Sequence, residues 1–169
     1  MSSINNIPLI LLGAVLIGLG CSSFFCLAFS FGPIPPQARW FDIWIPLVVL
    51  FFMMILIRAR KEERSFHFWE GLILGNFMLW LGGFLSGIFI WILTEISPGF
   101  FETFIASSIR YLVEFDHYAP KGQKIVGLKD EIAKINAVTP TGFILNEATQ
   151  KLYYSFLLVP FVSLILRRK

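Results

Sequence analysis

The sequence predicts an all-α membrane protein: four transmembrane helices, with a helical extracytoplasmic segment between helices 3 and 4. Three observations carry this. Apolar residues make up 56% of the 169-residue chain and charged residues 15%, against about 45–50% and 25% in soluble domains. The mean hydropathy is +0.73. That level excludes a disordered chain, which needs low hydrophobicity and high charge, and exceeds what a soluble globule can hide from water. The apolar residues also fall into four long runs. The length suits a single membrane domain over residues 1–169, with residues 95–151 as an extracytoplasmic helical insertion within it.

The first run extends from Ile7 to Phe31. No Lys or Arg precedes Arg39, so the basic region of a cleaved signal is missing, and the run reads as an uncleaved anchor. Gly18-Leu19-Gly20-Cys21 has a glycine where a lipoprotein cleavage box carries a large aliphatic residue. Cys21 and Cys26 lie within this run, at a spacing that matches no redox or ligand motif and is unsuited to a disulfide within one helix. The second and third runs, Phe41–Ile57 and Phe66–Leu93, also reach the length of about 17–25 residues that a spanning helix needs. The fourth, Leu152–Leu166, supplies only about 22 Å of helix against a hydrocarbon core of about 30 Å. It spans if the helix continues upstream through Ile144 and Leu145, or if flanking groups snorkel.

The basic residues orient the chain. Arg58, Arg60, Lys61 and Arg64 crowd the loop between the second and third runs, and Arg167-Arg168-Lys169 follows the fourth. Placing both clusters inside puts both termini in the cytoplasm. Thr94–Lys151 then lies outside, nearly neutral with six basic and seven acidic residues. Trp40, Trp44, Trp91, Tyr153 and Tyr154 fall at outer ends and Trp69 at an inner end, as interfacial aromatic belts do. The Pro33–Pro36 turn and the basic loop are short, so runs 1, 2 and 3 are antiparallel in succession.

The outer segment reads as folded. Ser97-Pro98 is a helix start, with a capping hydroxyl and then Pro. Phe101, Phe104, Ile105, Ile109, Leu112 and Val113 recur at helical spacing and form an apolar outer-cap stripe. Burying each large side chain contributes roughly 1.5–3 kcal/mol, so the stripe belongs against the membrane surface, the bundle mouth or a partner. Residues 116–122 break this helix, and Leu128, Ile132 and Ile135 mark a second, supported by Asp130 and Lys134 at i,i+4. Thr139-Pro140 starts a third that feeds the fourth span.

Few groups are candidates for function. Gly71, Gly75, Gly83 and Gly87 on the third span, and Ala14, Gly18 and Ser22 on the first, recur four apart. That spacing lets helix backbones approach closely, within the bundle or against a partner. Asn76 and Glu70 are the candidate polar intramembrane groups of the third span. Asn76 suits an interhelical hydrogen bond. Glu70, His67 and Asp42 lie within reach of headgroups, Asp42 with Arg39 three residues before it, and suit interfacial anchoring. Pro46 and Pro160 interrupt the second and fourth spans, as proline does in many spanning helices. Arg110 and Glu114 form an i,i+4 ion pair, and the neighbouring Asp116 and His117 lack further ligands at a recognised metal spacing. No phosphate loop, nucleophile elbow or zinc-protease motif occurs. Catalytic, metal and cofactor sites are therefore expected to be absent. With a net charge of +3 and no basic face, nucleic acid is not an expected partner.

The third span opens Ser65-Phe66-x-x-x-Glu70-Gly71-x-x-x-Gly75, and the chain ends Pro160-Phe161-Val162-Ser163-Leu164-Ile165-Leu166-Arg167-Arg168-Lys169. With two spans, a basic loop and an amphipathic outer segment, the chain resembles a family of small four-span inner-membrane proteins of Gram-negative bacteria, catalogued as a domain of unknown function. The resemblance covers most of the chain. It implies the fold and a bacterial inner-membrane location, and it carries over no catalytic residue. The leading expectation is a non-catalytic accessory or assembly subunit of an inner-membrane complex, partnered by the bilayer and by other subunits or copies of itself. A small oligomeric transporter or channel using Asn76 and Glu70 is the alternative, and a lipid-modifying enzyme using Asp116 and His117 ranks last.

Single-cysteine labelling tests the orientation. Reagent added outside is expected to reach positions Lys121 and Gly127 but not Arg60 or Lys169; the reverse pattern would invert the topology.

Overall fold

The structure, a computed structural model, describes residues 6–30, 41–60, 67–120 and 124–167, and all regular structure among them is helical. The helices are α1 (Ile7–Ser30), α2 (Trp44–Ala59), α3 (Phe68–Ile96), α4 (Pro98–Tyr118), α5 (Leu128–Asn136) and α6 (Gly142–Leu166). A 3₁₀ turn over residues 41–43 leads into α2. Four segments, Ile7–Leu27, Phe41–Ala59, Phe68–Ile96 and Gly142–Leu166, are long and apolar enough to cross a bilayer. The protein is an all-α multi-pass membrane protein.

Local chemistry sets the helix limits. Ser97 leaves the helical region, at φ −131° and ψ 81°, as a residue before proline is biased to do. One continuous helix is thereby cut into α3 and α4. The expected Ser97 side-chain cap does not form; the Phe100 N–H donates to the Ser97 backbone carbonyl instead. Gly127 enters α5 at φ 77°, a left-handed conformation that favours glycine. Thr139 does act as a cap, its hydroxyl accepting the Gly142 N–H at 3.1 Å, so α6 begins just past the expected start.

Close glycine contacts set the register. A Cβ added at Gly18 would lie 3.3 Å from Ser86 N and from Gly82 O, and one at Gly82 would lie 3.2 Å from Ala14 O. With Gly13 against Met78, this makes α1 and α3 parallel. Gly75 faces Val159, Gly83 faces Ala148 and Lys151, and Gly87 abuts the Ile144 backbone, so α6 is antiparallel to α3. Gly20 against Ile45 and Gly13 against Met53 make α2 antiparallel to α1. The start of α1, the end of α2, the start of α3 and the end of α6 therefore share one end of the bundle. Arg58, Arg60 and Arg167 gather there, and it is called the basic end below.

The core lies between α1, α2, α3 and α6 and includes Ile17, Leu50, Met54, Met78, Leu79 and Val159. A smaller cluster at the opposite, cap end joins Phe25, Ile90 and Phe143 to Phe100, Phe101 and Phe104 of α4. The Phe104 ring stands 5.6 Å from Phe25 and 5.2 Å from Phe143, centroid to centroid. The start of the apolar stripe thus docks on the bundle mouth, while Ile105, Ile109 and Leu112 further along are half-buried. The helix runs past the expected break to Tyr118. Asp116 then accepts the Ile125 N–H at 2.8 Å and pins the returning chain.

The third candidate span continues past its apolar run to Ile96, and the fourth extends upstream through Ile144 and Leu145 to Gly142, the continuation that the short fourth run requires. The fourth span is therefore a full-length helix. The Pro33–Pro36 turn, Arg39, Lys61–Phe66, Lys121 and Arg168-Lys169 lie outside the described residues.

Gly87→Ala tests the α3–α6 seam. Its methyl would collide with the Ile144 backbone, which cannot rotate away. A loss of about 1–3 kcal/mol in unfolding from detergent is expected, whereas Gly99→Ala, with open space around it, is expected to change stability by about 1 kcal/mol at most.

Candidate functional site: a buried ion cluster

Asp42, in the turn before α2, and Glu147 and Lys151, one helical turn apart on α6, are all buried, Lys151 completely. Register brings them together. The glycine at Gly83 leaves room on α3 for the Lys151 stem, since a Cβ there would lie 2.9 Å from Lys151 Cβ and Cγ. Gly20 lets Ile45 approach α1, which draws the start of α2 to the same level.

The polar atoms are matched. Lys151 Nζ donates to Asp42 Oδ2 and lies 3.4 Å from Glu147 Oε2. Tyr154 donates its hydroxyl to Asp42 Oδ1 at 2.8 Å and accepts from Gln150 Nε2 at 2.7 Å. The Lys151 ammonium also sits 5.0 Å from the Tyr154 ring centre, a cation–π distance. Ser86 of α3 donates to Glu147 Oε2 at 3.4 Å. Buried Cys21 of α1 adds a side-chain contact with Lys151. All four spans contribute.

Along α3, Ser86 stands about 27 Å from Phe68 at 1.5 Å per residue, a little past the middle of a helix that runs on to Ile96. The cluster therefore lies within the spans, on the cap side of the middle of α3, and protein encloses it. At this level and outside the bundle, Trp44 and Tyr153 are exposed, while Trp69 is exposed at the basic end. Of the other aromatics expected in the outer belt, Tyr154 is instead buried in the cluster, Trp91 is half-buried and Trp40 lies outside the described residues.

Of the residues singled out in the sequence, Asp42 joins the cluster from the turn before α2, where it is buried, and the others lie elsewhere. Gly75, Gly83 and Gly87 face α6 within the bundle and Gly71 is buried, so this face is filled internally. Asn76 makes no interhelical hydrogen bond among the described residues; its Nδ2 donates to Leu72 O of its own helix at 2.7 Å. Glu70 is half-buried in the first turn of α3 at the basic end, remote from the cluster. On the cap, Arg110 pairs with Glu114 at 2.8 Å as expected. Lys134 pairs with Glu131 at 2.5 Å rather than with Asp130, because the i,i+3 partner lies nearer on the same face. These hydrogen bonds raise the Arg110 and Lys134 pKa values above their ordinary ones. Asp116 is occupied by the Ile125 N–H, and His117 lies edge-on to Tyr118.

Sequence reasoning missed Glu147 and Lys151 because they precede the fourth apolar run. Two signals pointed to them: the run is too short to span alone, and the two residues are four apart, on one face of the helix that must extend it.

The arrangement predicts an order of stabilities. Lys151→Met leaves two buried carboxylates without their cation and is expected to cost about 3–5 kcal/mol. Asp42→Asn leaves Lys151 with Glu147 and is expected to cost less. Thermal unfolding in detergent reads the order, and equal or inverted losses would contradict this charge arrangement.

No curated protein and no solved structure matches the chain. A family model described as "Protein of unknown function (DUF4199)" matches residues 13–168, which take in all four spans, the ion cluster and the cap. The chain belongs to the DUF4199 family.

Proposed function

We propose that the protein is a non-catalytic accessory or assembly subunit of a bacterial inner-membrane complex, with both termini cytoplasmic, and that it seats a transmembrane helix of a partner along α3. One observation carries this reading. Trp69, Ile73, Phe77 and Trp80 project side by side from α3, all exposed, and with Leu72, Asn76 and Leu152 they line a groove of about 680 Å³. The groove is apolar except for Asn76, whose carboxamide keeps an oxygen and a second N–H after its bond to Leu72. A polar group in an apolar groove suits a neighbouring helix, because interhelical hydrogen bonds and van der Waals packing drive association in lipid. The glycines of α3 that could serve that purpose are filled internally, whereas the groove faces outward.

Photo-crosslinking tests it. A crosslinker at position Phe77 in native membranes is expected to give one discrete protein adduct, and Asn76→Leu with Trp80→Ala is expected to abolish it while the protein still inserts. Adducts to lipid alone would overturn the proposal, and an adduct of twice the chain's mass would identify self-association.

The buried ion cluster favours a second reading, a small transporter, since ionisable groups within a span mark ion pathways by default. On that reading, purified protein in liposomes moves a proton or small ion, and Lys151→Met abolishes the flux.

A further inference from the structure

We propose that α2 is the movable helix of the bundle and that the contact of Asp42 with Lys151 and Tyr154 is the latch holding it to a rigid α1–α3–α6 core. The two kinds of helix seam differ. Across α1–α3 and α3–α6, backbone meets glycine: Gly18 on Gly82 and Ser86, Gly82 on Ala14, Gly87 on Ile144. At these points backbone atoms lie against the glycine and cannot turn aside, so the seams resist sliding even though Met78, Ile17, Val159 and Lys151 fill the other glycines along them. Where α2 meets glycines of α1 and α3, the neighbouring atoms are the side-chain atoms of Ile45, Met53 and Leu50. Two of its core residues are Met53 and Met54, whose unbranched thioethers repack readily. The α2 span is also the least enclosed, 33% buried against 44–50% for the other three. Packing alone therefore holds α2 more weakly than its neighbours.

The latch supplies a strong point contact at one end. Asp42 gives one oxygen to Lys151 and the other to Tyr154, both on α6. The facing groups on the core side are Glu147 and Gln150 of α6, Ser86 of α3 and Cys21 of α1. Glu147 is what permits release. Departure of Asp42 would otherwise strand a buried ammonium, at a cost of several kcal/mol. With Glu147 one turn away and already within 3.4 Å, Lys151 keeps a carboxylate partner in both states. Asp42 would leave toward a surface where its neighbours Phe41 and Trp44 are already exposed. Two arrangements of one lysine, bridging α2 to α6 or paired within α6, make a two-state element.

Hydrogen exchange on the full chain in lipid nanodiscs tests this. Asp42→Asn is expected to speed amide exchange over residues 43–50 roughly ten-fold or more while α1, α3 and α6 are unchanged. Glu147→Gln removes the alternative partner and is expected to slow exchange over the same residues. The opposite signs separate a latch from a general stabilising contact, under which both substitutions would speed exchange throughout the bundle. Faster exchange in α6 as much as in α2, or no change in α2 with either variant, would overturn the proposal.

Discussion

The bundle depends on the glycines that α3 presents where it meets α1 and α6. Inside a bilayer, water does not drive two apolar helices together, so association relies on close packing. Gly82 receives Ile17, Gly83 receives the Lys151 stem, and Gly87 meets the Ile144 backbone. These contacts set how far α6 slides along α3, and the register then decides every other pairing. A shift of α6 by one turn would carry Lys151 away from Asp42 and Phe143 away from Phe104.

That dependence explains how charges can sit inside this protein. A carboxylate or ammonium buried alone would neutralise itself or draw in water. Here the α3–α6 seam brings Lys151 beside Asp42 and Glu147, Tyr154 binds the second oxygen of Asp42, and Ser86 shares Glu147 Oε2 with Lys151. Such a cluster is a poor source of stability compared with an apolar core of the same shape, since both ions are desolvated to make it. Its value lies in specificity. It names the level at which α2 meets α6 in a bundle whose apolar surfaces would otherwise allow several levels. A tie that is local and charged can also be exchanged for another, which an apolar seam cannot do.

The cap and the groove divide the remaining surface. Pro98 cuts the helix so that α4 can turn back, and Phe100, Phe101 and Phe104 close over Phe25 and Phe143 at the mouth. The outward face of α3 keeps its large side chains and, with Leu152 of α6, forms the aromatic groove. One helix therefore carries both the internal scaffold, on its glycine face, and the surface proposed to receive a partner, on its aromatic face.

The sequence by itself determined the four spans, the basic end, the amphipathic cap helix and the break at Ser97-Pro98. Each depends on properties local to the chain: the length of an apolar run against the bilayer thickness, the position of Arg and Lys, the period of a stripe, and the sterics of one proline. It also marked the glycines of α3 as a packing face, though not which helix they meet. Only the tertiary structure decided that Asp42 joins Lys151 across 109 residues of chain, that Asn76 looks outward into a groove, and that Glu147 lies inside a span. The physical reason is the solvent. In water, the buried face of a helix is apolar and the exposed face polar, so the pattern reveals which way each residue points. In lipid, both faces are apolar: Leu11, Phe52, Phe77 and Leu157 are as hydrophobic as the core, yet exposed. Rotation about each helix axis is then set by shape at the glycine seams and by the pairing of a few charges, and neither can be read until the helices are packed.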